Sequence, residues 1–341
     1  MINNISSLME TPPFVIKNNR GGRLQSISAI RLLAMLMIIV CHICQYFDNH
    51  MAWWFNVGVQ IFFIISGFLY GSKLINSPVK WFLKNARKIL LPYYLFLVPV
   101  IILYLFFSPE DINFGSIIRS LLCVGTIDGI GHLWFVGYIL FCYFITPILC
   151  EITKYLEDKS FCDSLSFMFI FILLFYAFGT LTDFYFRADR VLCYITGFFV
   201  PLMIRKRGDV ILKYILYLVV PATIISKVIY LYCCVTFPEI SGLGHMEGIS
   251  HLFLGISLTF GLMYLFKHVK KMKILSFSDK YSYSIYIVHQ LFILSPFTLM
   301  TVTHNIGVNI VIVVLTITIS GIILHAIATA TNNFVSKYIK L

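Results

Sequence analysis

Residues 26–46 read SISAIRLLAMLMIIVCHICQY, and one formally charged side chain, Arg31, interrupts these 21 positions. A helix needs about 20 mostly apolar residues to cross the hydrocarbon core of a bilayer. The run is too long for the core of a signal peptide, and no small-residue cleavage pattern follows it, so we expect it to remain as a membrane span. Nine more apolar stretches follow at about 55–72, 89–107, 132–150, 164–180, 190–204, 211–232, 249–266, 283–300 and 308–330.

The composition excludes a soluble protein. Of the 341 residues, 59% are hydrophobic and 12% are charged, whereas a soluble domain has about 25% charged residues. Together with the ten stretches, this predicts an all-α polytopic membrane protein, a bundle of about ten transmembrane helices embedded in the lipid bilayer. The net charge of +11 does not indicate a nucleic-acid partner, because the basic residues flank the predicted spans.

The distribution of basic residues predicts the orientation. Of the Lys and Arg residues outside the spans, 21 fall in loops on one side and 3 on the other. Short loops rich in Lys and Arg stay in the cytoplasm, so we expect a multi-pass protein of the cell inner (cytoplasmic) membrane with both termini cytoplasmic. The predicted organisation is a cytoplasmic tail at 1–25, a ten-helix domain at 26–330 and a second cytoplasmic tail at 331–341.

The first span places an arginine and a histidine on one face. Arg31 and His42 are eleven residues apart, which is three helical turns plus about 20°, with a rise of roughly 16 Å. Gln45 and Tyr46 continue this face. A charged side chain within a span is a functional-site candidate. The alternative is that Arg31 extends to the inner headgroups while His42 only bonds a neighbouring helix.

Other polar residues fall in or beside later spans. His132 and Trp134 open the fourth span on the outer side, at the level of His42. His289 lies one to two turns into the ninth span, which places it nearer the inner side. Lys227, near the outer end of the seventh span, has no obvious partner, and we expect its amine to extend to the headgroups.

The loop after the second span is strongly basic. It contains cations that act either as ordinary positive-inside charge or as contacts for a phosphorylated ligand, namely Lys80, Lys84, Arg87 and Lys88. Cys41 and Cys44 flank His42, but no second pair at ligand spacing accompanies them. We therefore expect no metal.

Taken in order, these motifs resemble the acyltransferase-3 family of membrane O-acyltransferases. The resemblance covers roughly residues 26–330. It rests on R-x10-H at Arg31 and His42, GVQIFFIISGF at 58–68, RKILLPY at 87–93, HLWF at 132–135 with Tyr143 and Pro147, and S-x-Y-x-x-H at Ser284, Tyr286 and His289. Lys88 departs from the arginine common in the family, and we expect the family's optional extracytoplasmic esterase-like domain to be missing here.

The resemblance implies transfer of an acyl group, usually acetyl from acetyl-CoA as co-substrate, to a hydroxyl of a cell-surface glycan or lipid-linked sugar, such as O-antigen or exopolysaccharide. Imidazole gains and loses a proton near neutral pH, so we expect His42 to be the general base. Arg31 would act beside it and bind acyl-CoA together with Lys84, Arg87 and Lys88. The candidates for contacting the substrate or the oxyanion are His132, Trp134, Tyr286, His289 and Gln45.

Two alternatives stay open at this stage. One is a transporter or flippase of a lipid-linked oligosaccharide, which the missing carboxylates within the predicted spans and the absent inverted repeat disfavour. The other is a membrane scaffold, which would not need Arg31 and His42 on one face. For the enzyme, a covalent intermediate on Ser66 or a cysteine is an alternative, but the sequence shows no general base at a spacing that would activate either nucleophile.

Overall fold

The chain forms an all-α fold, as predicted. The computed structural model describes residues 25–71, 73, 75–181, 187–240, 242–266, 269–270 and 272–338. The predicted tail at 1–25 therefore lies outside the described residues except for its last position. No strand occurs in the described part of the chain. The helices are α1 Gln25–Tyr46, α2 Ala52–Phe55, α3 Gly58–Tyr70, α4 Pro78–Phe107, α5 Phe114–Leu121, α6 Trp134–Glu157, α7 Phe161–Leu181, α8 Ala188–Arg207, α9 Val210–Thr236, α10 Leu243–Leu265, α11 Lys273–Val288 and α12 Ile306–Tyr338.

Eight segments among the described residues are long and apolar enough to cross a bilayer. They comprise α1, the segment Ala52–Tyr70 that joins α2 and α3, α4, Gly131–Glu157, α7, α9, α10 and α12. The two remaining predicted spans correspond to α8 and α11. Helix α8 carries charged residues near both of its ends, and most of its side chains are buried. Helix α11 has only 16 residues, fewer than the roughly 20 that a span needs.

The predicted span at 283–300 is wrong in its second half. Helix α11 begins at Lys273, continues beyond Val288 as one 3-10 turn, His289–Phe292, and then gives way to turns before α12. Pro296 lacks a backbone N–H and disfavours the helical conformation in the residue before it, which fits the turns and bends around it. His289 therefore stands at the end of a helix.

Two other helices are longer than predicted. Helix α4 begins at Pro78, so the basic segment predicted as a loop forms its first three turns. Proline at the first position of a helix is favourable because its missing N–H has no partner there in any case. Helix α12 continues to Tyr338, so most of the predicted tail at 331–341 is helical, and residues 339–341 lie outside the described part.

The chain divides into two compact units. The first comprises residues 1–31, 60–74 and 148–275, and the second comprises 32–59, 75–147 and 276–341. In the first unit, α3 and α8 approach closely through glycines. A Cβ atom on Gly67 would lie 2.1 Å from the Tyr194 carbonyl oxygen, and one on Gly197 would lie 2.1 Å from that of Ile64. Small residues allow such approach between membrane helices.

In the second unit, tyrosines of α4 fix the segment that leads into α6. Tyr93 and Tyr104 are fully buried. The Tyr93 hydroxyl donates to the Ser120 carbonyl at 2.6 Å, and that of Tyr104 donates to the Asp128 carbonyl at 2.8 Å. Each bond satisfies a backbone carbonyl, that of Ser120 in the last turn of α5 and that of Asp128 in the segment between α5 and α6. The segment that ends at His132 is thereby held against α4.

Candidate active site

Three histidines of the second unit lie together and form what we term the histidine cluster, His42, His132 and His289. The ring centroids of His132 and His289 are 4.6 Å apart, those of His42 and His289 4.9 Å, and those of His42 and His132 6.4 Å. His132 and His289 are buried, whereas His42 is half-buried. A ligand would therefore reach the cluster from the side of His42.

This arrangement corrects the predicted position of His289. The sequence pattern placed it one to two turns into a span and nearer the inner side, away from His42. Because α11 begins at Lys273 rather than near residue 283, His289 follows the last turn of the helix and contacts the His42 ring. The predicted placement of His132 beside His42 agrees with the structure.

The end of α11 orients two of the three imidazoles. His289 Nδ1 donates to the Tyr286 carbonyl, and His132 Nε2 donates to the Ile287 carbonyl at 2.9 Å. The last carbonyls of a helix lack partners within the helix, and here the histidine side chains satisfy two of them. Because a carbonyl can only accept, both donating nitrogens must carry the proton. The other nitrogen of each neutral ring is then a bare lone pair.

His132 is held by two further bonds. The Gln290 side-chain oxygen accepts from the His132 backbone N–H at 2.7 Å, and the Tyr286 hydroxyl donates to the His132 backbone carbonyl at 2.6 Å. The Tyr286 hydroxyl, predicted as a donor to the substrate or the oxyanion, thus donates within the protein. Its role in this geometry is to position His132.

Gln45 orients the third imidazole. Its side-chain oxygen accepts from His42 Nδ1 at 2.6 Å, one helical turn along α1. The proton therefore resides on Nδ1, and Nε2 is left with its lone pair. In the neutral His42 ring, Nε2 is therefore the basic nitrogen, and it makes no hydrogen bond within the described residues.

Two nitrogens of the cluster are buried without any hydrogen-bond partner in the described structure. They are His132 Nδ1 and His289 Nε2, and their residues are 4% and 0% exposed. A buried polar group without a partner costs about 1–3 kcal/mol. Among the residues described, no group of three or more His, Cys, Asp and Glu side chains is placed to hold a metal ion. The arrangement therefore fits a ligand that supplies hydrogen-bond donors.

The other predicted substrate contact, Trp134, begins α6 two residues after His132. It is half-buried, and its ring packs edge-on against Tyr138 with a centroid distance of 5.2 Å. Chain connectivity keeps it near the histidine cluster, and it retains the role of a candidate donor.

The predicted acyl-CoA contacts lie on α1 and on the first turns of α4. Arg31 is half-buried on α1, eleven residues before His42. Since residues three or four apart share a helix face, the helical conformation of 78–88 aligns the α4 cations as one stripe, consisting of Lys80, Lys84, Arg87 and Lys88. Arg87 also donates to the Asn332 carbonyl at 2.7 Å and so joins α4 to α12. We term this stripe the basic face of α4.

Lys227 differs from its prediction. It is 3% exposed, and its amine lies 3.4 Å from His251 Nε2 rather than among headgroups. His251 Nδ1 in turn lies 3.9 Å from Glu247, whose other oxygen is 3.3 Å from Arg187. Arg187 also pairs with Asp189 at 3.2 Å. This network belongs to the first unit, where its opposite charges offset the cost of burying Lys227.

The Arg187 end of the network remains charged. Arg187 precedes α8, and burial favours loss of its proton, but Asp189 and Glu247 outweigh that effect and raise its pKa above the usual value for arginine. Glu247 is a carboxylate within α10, a helix long enough to span. Glu247 fell just outside the predicted span at 249–266. Helix α10 begins at Leu243, six residues before that span, and therefore includes Glu247.

Gln290 was not among the predicted site residues. A glutamine beside His289 carries no sequence signal of its own, since its function depends on the His132 backbone 158 positions away. The same holds for Tyr93 and Tyr104, whose spacing fits an ordinary aromatic helix face. Only the S-x-Y-x-x-H pattern pointed to this part of the chain.

The comparisons with known proteins concern the chain as a whole. The family model Acyl_transf_3, described as an acyltransferase domain, matches residues 24–325. No match was found among curated proteins or among solved structures. The matched range includes every residue of the histidine cluster and the basic face of α4.

Proposed function

The chain belongs to the acyltransferase-3 family, and we propose that this membrane acyltransferase moves an acetyl group from acetyl-CoA to a hydroxyl of a cell-surface glycan or lipid-linked sugar. His42 is the general base in this proposal. The observation that carries it is the His42 imidazole, with Nδ1–H fixed by Gln45 and Nε2 available beside two more imidazoles.

The proposed reaction is a direct transfer. The acceptor hydroxyl gives its proton to His42 Nε2 while its oxygen attacks the thioester carbonyl carbon. The carbon–sulfur bond then breaks, the acetyl ester remains on the acceptor, and the thiolate of coenzyme A takes the proton from His42. A positioned general base contributes about 100- to 10,000-fold to such a step.

In this proposal, the carboxyl-terminal end of α11 favours proton transfer to His42. Protonation of His42 creates a cation within a largely apolar unit, where an unpaired charge is unfavourable. The carboxyl-terminal end of a helix carries partial negative charge, and the end of α11 faces the cluster through the Tyr286 and Ile287 carbonyls. These carbonyls favour the transient imidazolium.

In this proposal, other groups stabilise the oxyanion. In their neutral forms, His132 and His289 donate to backbone carbonyls and present lone pairs, which would repel an oxyanion. The indole N–H of Trp134 and the amide N–H of Gln290 remain as candidate donors near the cluster. Hydrogen-bond donors that are already in place lower the barrier because they need no reorganisation during reaction.

We assign binding of the donor phosphates to the basic face of α4, where Lys84, Arg87 and Lys88 favour phosphate oxygens. Arg31 lies roughly 16 Å from His42 along α1, a position from which it would guide the pantetheine arm toward the base. The positive-inside pattern puts this end of α1 in the cytoplasm. Acetyl-CoA would then enter from the cytoplasm and the acceptor from the opposite side.

The test measures incorporation of labelled acetate into surface polysaccharide in cells that express wild-type protein, His42→Ala or Arg31→Ala at matched membrane levels. We expect His42→Ala to lose at least about 100-fold of the activity and Arg31→Ala to be strongly impaired. The control is His304→Ala, at an exposed histidine between α11 and α12, which should behave like wild type. Undiminished incorporation by both test variants would contradict the proposal.

A further inference from the structure

The buried lone pairs of the histidine cluster restrict what can occupy the site. His132 Nδ1 and His289 Nε2 have no donor within the described structure. The third nitrogen, His42 Nε2, also lacks a proton because Gln45 holds the Nδ1–H. Three nitrogens that can only accept in the neutral rings cannot satisfy one another, so the donors must come from the occupant.

The reacting end of acetyl-CoA cannot supply these donors. The acetyl carbonyl oxygen only accepts, and neither the methyl group nor the thioester sulfur has a proton to share. A single acceptor hydroxyl is also insufficient, because its one proton goes to His42. The two buried nitrogens, whose ring centroids are 4.6 Å apart, therefore need donors from elsewhere on the acceptor.

We infer that the acceptor is a polyol in which the acylated hydroxyl has a free hydroxyl on a neighbouring carbon, and that this neighbouring hydroxyl donates to His289 Nε2 or His132 Nδ1. This inference rests on the proposed function and specifies its substrate class. His289 lies between the other two rings, 4.9 Å from His42 and 4.6 Å from His132. A pair of adjacent hydroxyls would therefore span His42 and one of the buried imidazoles.

Loss of the neighbouring hydroxyl should be costly. A site that hydrogen-bonds a substrate hydroxyl strongly rejects an analogue that lacks it, because a buried protein group is then left without its partner. Ordered water could replace the missing group only if it reproduced the same hydrogen bonds in the remaining space. We expect kcat/KM to fall at least about 100-fold for such an analogue.

The experiment uses the full chain reconstituted in nanodiscs with acetyl-CoA and a methyl hexopyranoside that has contiguous free hydroxyls. The position of acetylation is identified by NMR. Monodeoxy and mono-O-methyl derivatives are then compared at the neighbouring carbon and at a distant carbon. The O-methyl derivative keeps the oxygen but removes the proton, so it isolates the donor role. The distant derivative is the matched control.

The inference predicts at least a 100-fold loss for both neighbouring derivatives and little change for the distant ones. His289→Leu should lower the rate but also abolish the discrimination between parent and neighbouring-deoxy sugars, which a purely structural defect would not do. His132→Leu provides a second variant, and the wild-type series stands on its own if neither variant folds.

One negative result would overturn the inference about the acceptor, and a different one would contradict the proposed function. Equal kcat/KM for the parent and the neighbouring-deoxy sugar would overturn the inference, since water or the amides of the pantetheine arm would then supply the donors. That result would leave acetyl transfer intact. Failure to acetylate any carbohydrate from acetyl-CoA, with the protein folded and acetyl-CoA bound, would instead contradict the proposed function.

Discussion

At position 45, a single amide determines which nitrogen of His42 is basic. Gln45 accepts from Nδ1 at 2.6 Å, and this bond leaves Nε2 as the nitrogen that can receive the acceptor proton. Histidine bases commonly depend on such a partner for their tautomer and orientation. Gln45 is therefore a positioning residue in our account, acting through His42 rather than on the substrate.

Gln45→Glu would place a carboxylate against the imidazole. A carboxylate favours the protonated ring, so neutral His42 should become available only at higher pH. We predict that the acidic limb of the kcat/KM profile moves to higher pH in Gln45→Glu, as measured by acetyl transfer across a pH series.

Gln45→Leu is the companion variant for this measurement. It should lower kcat about 5-fold without the upward shift of the acidic limb, since one hydrogen bond contributes about 1 kcal/mol and 1.36 kcal/mol corresponds to tenfold in rate. A Gln45→Glu profile that superimposes on that of wild type would show that Gln45 does not act through His42.

The relative positions of two site residues could be predicted from the sequence where both lie on one face of the same helix. The spacing of Arg31 and His42 depends only on helical geometry, and α1 runs unbroken through both positions. The meeting of His132 and His289, 157 positions apart in sequence, depends on where α11 ends and on the hydrogen bonds of Gln290 and Tyr286. No local pattern contains that information.

At the scale of the elements, the approach of α3 to α8 depends on glycine. The segment GVQIFFIISGF contains small residues of the kind that permit close helix approach, and the structure identifies α8 as the partner. Since a Cβ on Gly67 would lie 2.1 Å from the Tyr194 carbonyl oxygen, the two backbones must separate to accommodate any side chain.

We predict that Gly67→Ala destabilises the protein by about 1–3 kcal/mol, the range for overpacking a close interface. Thermal unfolding in detergent, followed by loss of helical signal, measures the effect. Gly244→Ala is the control, because a Cβ there has no neighbour within 4 Å. Equal unfolding temperatures for Gly67→Ala and wild type would contradict close α3–α8 packing.

Apolar periodicity located the elements but not their ends. Each predicted stretch contains helix, because a long apolar run in a bilayer must satisfy its backbone internally. The early start of α4 was missed because residues 78–88 include four basic residues, so hydropathy could not distinguish them from a loop. The end of α11 was missed because residues 293–300 are apolar although they are not helical.

At the scale of the whole molecule, the account depends on the direction of the chain through the membrane. The bias of 21 to 3 in basic residues predicts that the segment before α4 is cytoplasmic and the segment after it is extracytoplasmic. This orientation assigns the basic face of α4 to the side where acetyl-CoA is made.

Added cysteines test this direction. In intact cells, a membrane-impermeant maleimide should label Glu110→Cys above the background of the native cysteines, and it should label Lys80→Cys only after permeabilisation. Both positions are exposed, so accessibility is decided by sidedness rather than by burial. Labelling of Lys80→Cys from outside would reverse the assigned direction.

The most direct measurement is single-turnover release of the coenzyme A thiol by purified protein in nanodiscs, comparing wild type with His42→Gln in the presence of a sugar acceptor. Glutamine retains hydrogen-bonding groups but cannot take up the acceptor proton. We predict that His42→Gln releases thiol at least about 100-fold more slowly while binding acetyl-CoA with unchanged affinity. Thiol release and ester formation within threefold of wild type would contradict His42 as the base.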